Sequence, residues 1–190
     1  MDRMINQDFN NQERFKSLHS FFYRNLKNTF ADLNLRNRFA LEYIATVLTR
    51  FARTENLYRI KQLPKYKLES VVESLLELEA SRRSEDPISE NDEILIRKHV
   101  ADFTLFMSGI FREYVEGHGF LDYYHMEGSR SYHRVYDFAY DAYGEDAEIF
   151  HDLSRQFENY SGALDYMKKV YFYYPNIDEA IREMLYRLLS

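Results

Sequence analysis

Read in steps of about 100° per residue, most of the chain falls into runs whose apolar residues return every three or four positions, the period of a helix buried along one face. The densest run is NDEILIRKHVADFTLFMSGIFREYVEG, from Asn91 to Gly117. Its Ile96, Val100, Phe103, Phe106, Met107, Ile110, Phe111 and Tyr114 share one broad arc. That arc is wider than the stripe of a surface helix, so the segment is expected to be central, with other helices wrapped around it. His99 lies inside the arc between Val100 and Phe103, and Asp102 lies one step outside it.

On either side the same period recurs between breakers. A first helix is expected over Gln12–Phe30, with Phe15, Leu18, Phe22, Leu26 and Leu33 on its stripe and His19 and Phe30 beside it. The polar residues 1–10 should fray, and Asn34 to Asn37 reads as a turn. Arg38–Ala52 predicts a second helix that buries Ala40, Leu41, Tyr43, Ile44, Val47, Leu48 and Phe51. Arg38, Glu42, Thr49 and Arg53 would then be solvated. Residues 54–67 contain Pro64 and read as a linker, followed by a helix over Leu68–Arg83 with a Glu-rich outer face. Residues 84–90 form a polar loop in which Ser89 is placed to cap the central helix, with Asp92 three residues on.

Gly117-His118-Gly119 is a stop signal. Phe120–Tyr143 is helical, and its Gly128 marks either a kink or the seam between two shorter helices. Gly144 ends that segment. Glu145–Tyr174 reads as one long amphipathic helix with Ile149, Phe150, Leu153, Phe157, Tyr160, Leu164, Met167 and Tyr171 on one face, halted by Pro175. A short last helix, capped by Asn176 or Asp178, would run through Leu189. No stretch alternates as a strand does. The expected fold is all-α: one domain, a compact bundle of six or seven helices around residues 91–117. The Leu153 to Pro175 stretch has spacing suggestive of a tetratricopeptide unit, but a 34-residue shift finds no second copy, and such units need about three to be stable.

Composition narrows the chemistry. At 190 residues the chain can bury a core without metal or disulfide staples. The absence of Cys excludes disulfides, zinc–thiolate sites and cysteine catalysis. The first fifteen residues hold no apolar core of signal-peptide length, and no run approaches a membrane span. These features predict a soluble, cytoplasmic protein. Aromatic residues make up 17 %, from 17 Tyr and 15 Phe with no Trp, which suits a ring-built core or an aromatic interface. The net charge of −6 divides unevenly: residues 1–67 carry 13 Lys/Arg against 6 Asp/Glu, and the remainder carries 12 against 25. Such polarity suits complementary faces, within the fold or between subunits.

Three constellations are candidates for chemistry. Acid–x–x–His pairs set two ligands on one helix face. Asp122 with His125 and Glu148 with His151 fit that spacing, but Glu148 and His151 share a polar face with Arg155, Glu158 and Lys169 and should be solvated. His19, His99 and His125 instead face apolar neighbours on three helices, with Asp102 and Asp122 nearby. If the helices converge, these five could hold a divalent metal or form an acid–base pocket; otherwise each His is a separately satisfied core residue. In the second constellation, a helix beginning near Ser129 would present free N–H groups with Ser129, Arg130, Ser131 and His133 to a phosphate or carboxylate. The third is Arg50–Lys67, whose basic and aromatic residues could grip a nucleic acid, though the adjoining Glu-rich helix opposes this. No nucleophile elbow, zincin motif or nucleotide loop is present. The functional expectation is association with a protein partner or with itself, without evident catalysis. The alternatives are a helical bundle, possibly an enzyme, that binds a metal or small ligand at a buried His/Asp pocket, and, more weakly, nucleic-acid binding through residues 50–67.

Overall fold

The computed structural model describes residues 2–52 and 88–172, with side chains from Lys16 onward except those of residues 141–143. Every regular element in these ranges is helical: α1 (Asp2–Asp32), α2 (Arg38–Phe51), α3 (Glu90–Ile110), α4 (Arg112–Gly117), α5 (Leu121–Tyr143), a 3-10 turn (Gly144–Ala147), α6 (Glu148–Arg155) and α7 (Phe157–Tyr171). The all-α bundle expected from the sequence is the architecture observed. The expected linker, the helix over 68–83, all but the first three residues of the basic segment, and the last helix lie outside the described residues.

The α3 helix is central, packing against α2, α5 and α7, while α1 closes over α2 and α7. It is buried on more sides than one arc. Ala101, Asp102, Thr104, Leu105, Ser108 and Gly109 are buried along with the expected Ile96, Val100, Phe103, Phe106 and Ile110. Ser89 caps α3 as expected, its hydroxyl accepting from the Asp92 amide at 3.2 Å. The run does not continue to Gly117 as one helix. It breaks at Phe111, and the phase shift turns Tyr114 out to 59 % exposure and Val115 inward.

Elsewhere the breakers act where they were read, with five corrections. α1 starts at Asp2, ten residues before the expected Gln12; no Gly or Pro interrupts residues 2–32, and adding a residue to an existing helix costs little. It ends at Asp32, with Asn34 beyond it in the left-handed region (φ 56°) and the Leu35 amide donating to the Phe30 carbonyl, and Leu33 therefore falls past the helix and is exposed. Thr49 is buried rather than solvated, its hydroxyl returning to the Ala45 carbonyl. The expected helix over Glu145–Tyr174 divides into the 3-10 turn, α6 and α7, with a bend at Gln156. Gly128 is neither kink nor seam: α5 runs unbroken through it. The glycine is there because α5 presses against its neighbours. A Cβ at Gly128 would collide with the Phe157 ring and lie 2.5 Å from Thr104 Oγ1.

Candidate functional site

Two polar features interrupt the packing. The first is the Asp102 carboxylate, which is completely buried. Tyr43 and Tyr132 donate their hydroxyls to its Oδ1 at 2.6 and 2.7 Å. Arg50 and Lys98 donate to Oδ2 at 2.7 and 3.0 Å. Groups from α2, α3 and α5 thus converge on one charge. Burial opposes the ionised form, but Lys98, Arg50 and the two hydroxyls outweigh it and hold the Asp102 carboxyl well below the usual carboxylate range. The same burial, reinforced by the carboxylate, pushes both tyrosines well above their ordinary value. His99, against Phe51 and Phe103, is lowered to about 4 by burial and by the Arg50 charge, so it is neutral at pH 7. With four donors on one carboxylate, the hub ties three helices together and leaves Asp102 no vacant coordination position.

The second feature is a groove of about 690 Å³ between α5 and the α6–α7 bend. From α5 come Asp122, His125, Met126, Ser129, Arg130 and His133; from the bend come Ser154, Arg155, Gln156, Phe157, Glu158 and Asn159. The spacing on α5, repeating every three or four positions, places its six residues on one face. Phe157, 2 % exposed, supplies apolar floor, and Met126, 56 % exposed, stands at the rim. Ser129 Oγ donates to the Ser154 carbonyl at 2.9 Å and fastens the two walls together.

Behind the groove runs a hydrogen-bond chain. His125 Nε2 lies 3.1 Å from Ser161 Oγ, Ser161 donates to Ser108 Oγ at 3.0 Å, and Ser108 donates to the Leu105 carbonyl at 3.5 Å. A carbonyl only accepts, so the chain orders its protons inward and assigns the Nε2–H tautomer to neutral His125. That leaves Nδ1 as the acceptor of the ring. Burial lowers the His125 pKa, against the opposing pull of Glu158, with Arg112 adding to the lowering and Asp122 resisting it. Ser161 is not placed as a nucleophile: it is fully buried and its proton is committed to Ser108.

The residues singled out from the sequence sort unexpectedly. The five candidate metal ligands do not form one centre. His19 meets Glu42 and Thr46 on α2, His99 sits in the Phe51–Phe103 contact, and Asp102 is saturated. His125 reaches α3 through Ser161 at Ser108, about 13 Å of helix rise beyond His99. Among the described residues no group of three or more His, Asp or Glu is arranged to hold a metal ion. The helix start proposed near Ser129 is absent, because that residue lies in the middle of α5 and its amide belongs to the helix ladder. Ser131 faces inward and is fully buried. Yet Asp122 and His125 from the first set, and Ser129, Arg130 and His133 from the second, line the same groove. The facing wall, Ser154 to Asn159, is not among the candidate site residues the sequence singles out, since pairing between distant segments leaves no local signal. Arg50, the only basic residue of the 50–67 segment that is described, points to Asp102.

The fold and site define an all-helical bundle with a charged, histidine-bearing groove on one flank. No family model, curated protein or solved structure matches the chain.

Proposed function

We propose that the protein binds a small polar ligand in the groove between α5 and the α6–α7 bend. The observation that carries this reading is the convergence there of His125, Asp122, Ser129, Arg130 and His133, opposite Arg155 to Asn159. The groove combines what small-ligand sites use: concavity, some apolar floor and a few polar groups held by packed helices. His125 is held in one tautomer by the serine chain, so it offers an orienting acceptor rather than a freely rotating ring. The test is saturation-transfer NMR with a library of small polar compounds on the native chain and on Met126→Trp, which fills the groove from its exposed rim. Binding in the native protein that is lost in the variant supports the reading. An empty screen, or hits unaffected by the indole, contradicts it.

A second reading, association with a partner or another copy, has an observation of its own. Tyr114 and Phe120, 59 % and 51 % exposed, flank His118 at ring-centroid distances of 4.3 and 6.4 Å. Such an exposed aromatic ledge suits a protein interface. Sedimentation velocity of the native chain and of Phe120→Ser tests it: association should weaken in the variant, whereas a monomer at all concentrations, with no partner retained, removes the reading.

A further inference from the structure

We infer that the ligand of this groove is a short peptide with both termini free, a zwitterion whose opposite charges stand several ångströms apart; this rests on the binding reading above. The two walls run antiparallel. His125 meets Ser161, Ser129 meets Ser154, and His133 meets His151, so rising numbers on α5 face falling numbers on α6 and α7. That register sorts the lining charges by sign. Asp122 and Glu158 share the end that holds His125, and both act electrostatically on its ring. Arg155, next to Ser154 in the Ser129 contact, and Arg130, one residue past Ser129, come farther along the groove from His125 than the two carboxylates do.

These charges are available. Arg155, Asp122 and Glu158 make no ion pair among the described residues, and Arg130 has only Glu127 at 3.8 Å, too long for a hydrogen bond. Arg112, which also acts on His125, is not part of the lining. A ligand carrying charge of one sign would meet attraction at one end and repulsion at the other. A zwitterion aligned with the groove meets attraction at both. Its ammonium would lie between the two carboxylates and donate to His125 Nδ1, and its carboxylate would lie between the two guanidinium groups.

Scale and mid-groove chemistry select a peptide. Eight residues of α5 separate Asp122 from Arg130, about 12 Å of rise, while Arg155 and Glu158 on the other wall are only three positions apart across the bend at Gln156. An extended peptide advances about 3.3–3.6 Å per residue, so two or three residues bridge that range. Between the charged ends, Asn159 donates to Gln156 at 2.6 Å, which leaves the Asn159 carbonyl and the Gln156 amide to meet a peptide N–H and C=O.

Triglycine tests the termini without side chains. It is titrated into the full chain by isothermal calorimetry and ¹H–¹⁵N NMR, alongside N-acetyl-triglycine and triglycinamide. Triglycine should bind and perturb Ser129, Arg130 and residues 154–159, and each cap should weaken binding at least tenfold. In Arg130→Gln/Arg155→Gln, triglycine should weaken to the level of triglycinamide while triglycinamide itself is little changed, with helicity checked by circular dichroism. Capped peptides binding as tightly as triglycine would overturn the inference. So would failure of triglycine to bind while another small compound occupies the groove, an outcome that leaves the site itself standing; an empty groove in every screen removes both.

Discussion

Replacing Asp102 with alanine would take from Tyr43, Tyr132, Arg50 and Lys98 the acceptor they share. Removing one partner of a buried ion pair costs about 3–5 kcal/mol; here the loss comes chiefly from the tyrosine hydroxyls left without their acceptor, since Arg50 and Lys98 keep partial contact with water. Denaturant unfolding of Asp102→Ala should show a loss of that size. Tyr132→Phe, which deletes one hydrogen bond to the charge, should lose about 1.5–3 kcal/mol. A loss below 1 kcal/mol in Asp102→Ala would mean that water reaches the hub. The acid side separates Asp102 from its neighbour His99. The His99 pKa is lowered in the folded state from 6.5 to about 4. Its contribution is therefore complete above pH 6.5 and is lost as pH falls toward 4, by at most about 3 kcal/mol. The Asp102 pKa is lowered from 3.8, so its contribution persists through that window and is lost only below it. Unfolding free energy measured at pH 7, 5.5 and 4.5 should decline in the native chain. In His99→Leu the decline should be shallower, and an equal slope in both would contradict the assignment.

At the scale of the elements, the glycines distinguish packing from propensity. Alanine is about 1 kcal/mol better than glycine inside a helix. At Gly162 a Cβ meets nothing within 4 Å, so Gly162→Ala should stabilise by up to about that amount. At Gly109 a Cβ would sit 2.5 Å from Leu164 Cβ, and at Gly128 it would enter the Phe157 ring. Gly109→Ala and Gly128→Ala should therefore destabilise, by about 1–3 kcal/mol as overpacked sites do. Thermal melts of the three variants check the signs. These contacts also explain what could be read from the chain. The stripe Ile44, Val47, Leu48, Phe51 on α2, and Leu153, Phe157, Tyr160, Leu164, Met167 on α6–α7, was legible because period 3.6 reports burial directly. The bends at Phe111 and Gln156 were not. Neither residue is Gly or Pro, and the Phe111 and Gln156 amides still reach the Met107 and Asp152 carbonyls, so the chain bends without a breaker. Gly128 carried a real signal, but a missing side chain reads the same whether the backbone must turn or another helix must come close. Asp102 was misplaced for a related reason: an arc read from one helix cannot show that neighbours enclose its other side.

Across the whole molecule, the half of the groove on α5 could be named residue by residue, while its second wall depended on which helices meet. The uneven charge of the chain has one local expression, where Arg50 from its basic first part pairs with buried Asp102 in the acidic remainder. No helix among the described residues is long and apolar enough to cross a membrane. Occupation of the α5 groove by a ligand is best observed by ¹H–¹⁵N chemical-shift mapping of the full chain with the tightest compound from the polar screen. Saturable shifts concentrated at His125, Ser129, Arg130, His133 and residues 154–159 are expected, with the Asp102 hub left in place. Shifts centred on the Tyr114–Phe120 ledge, or scattered without saturation, would contradict it.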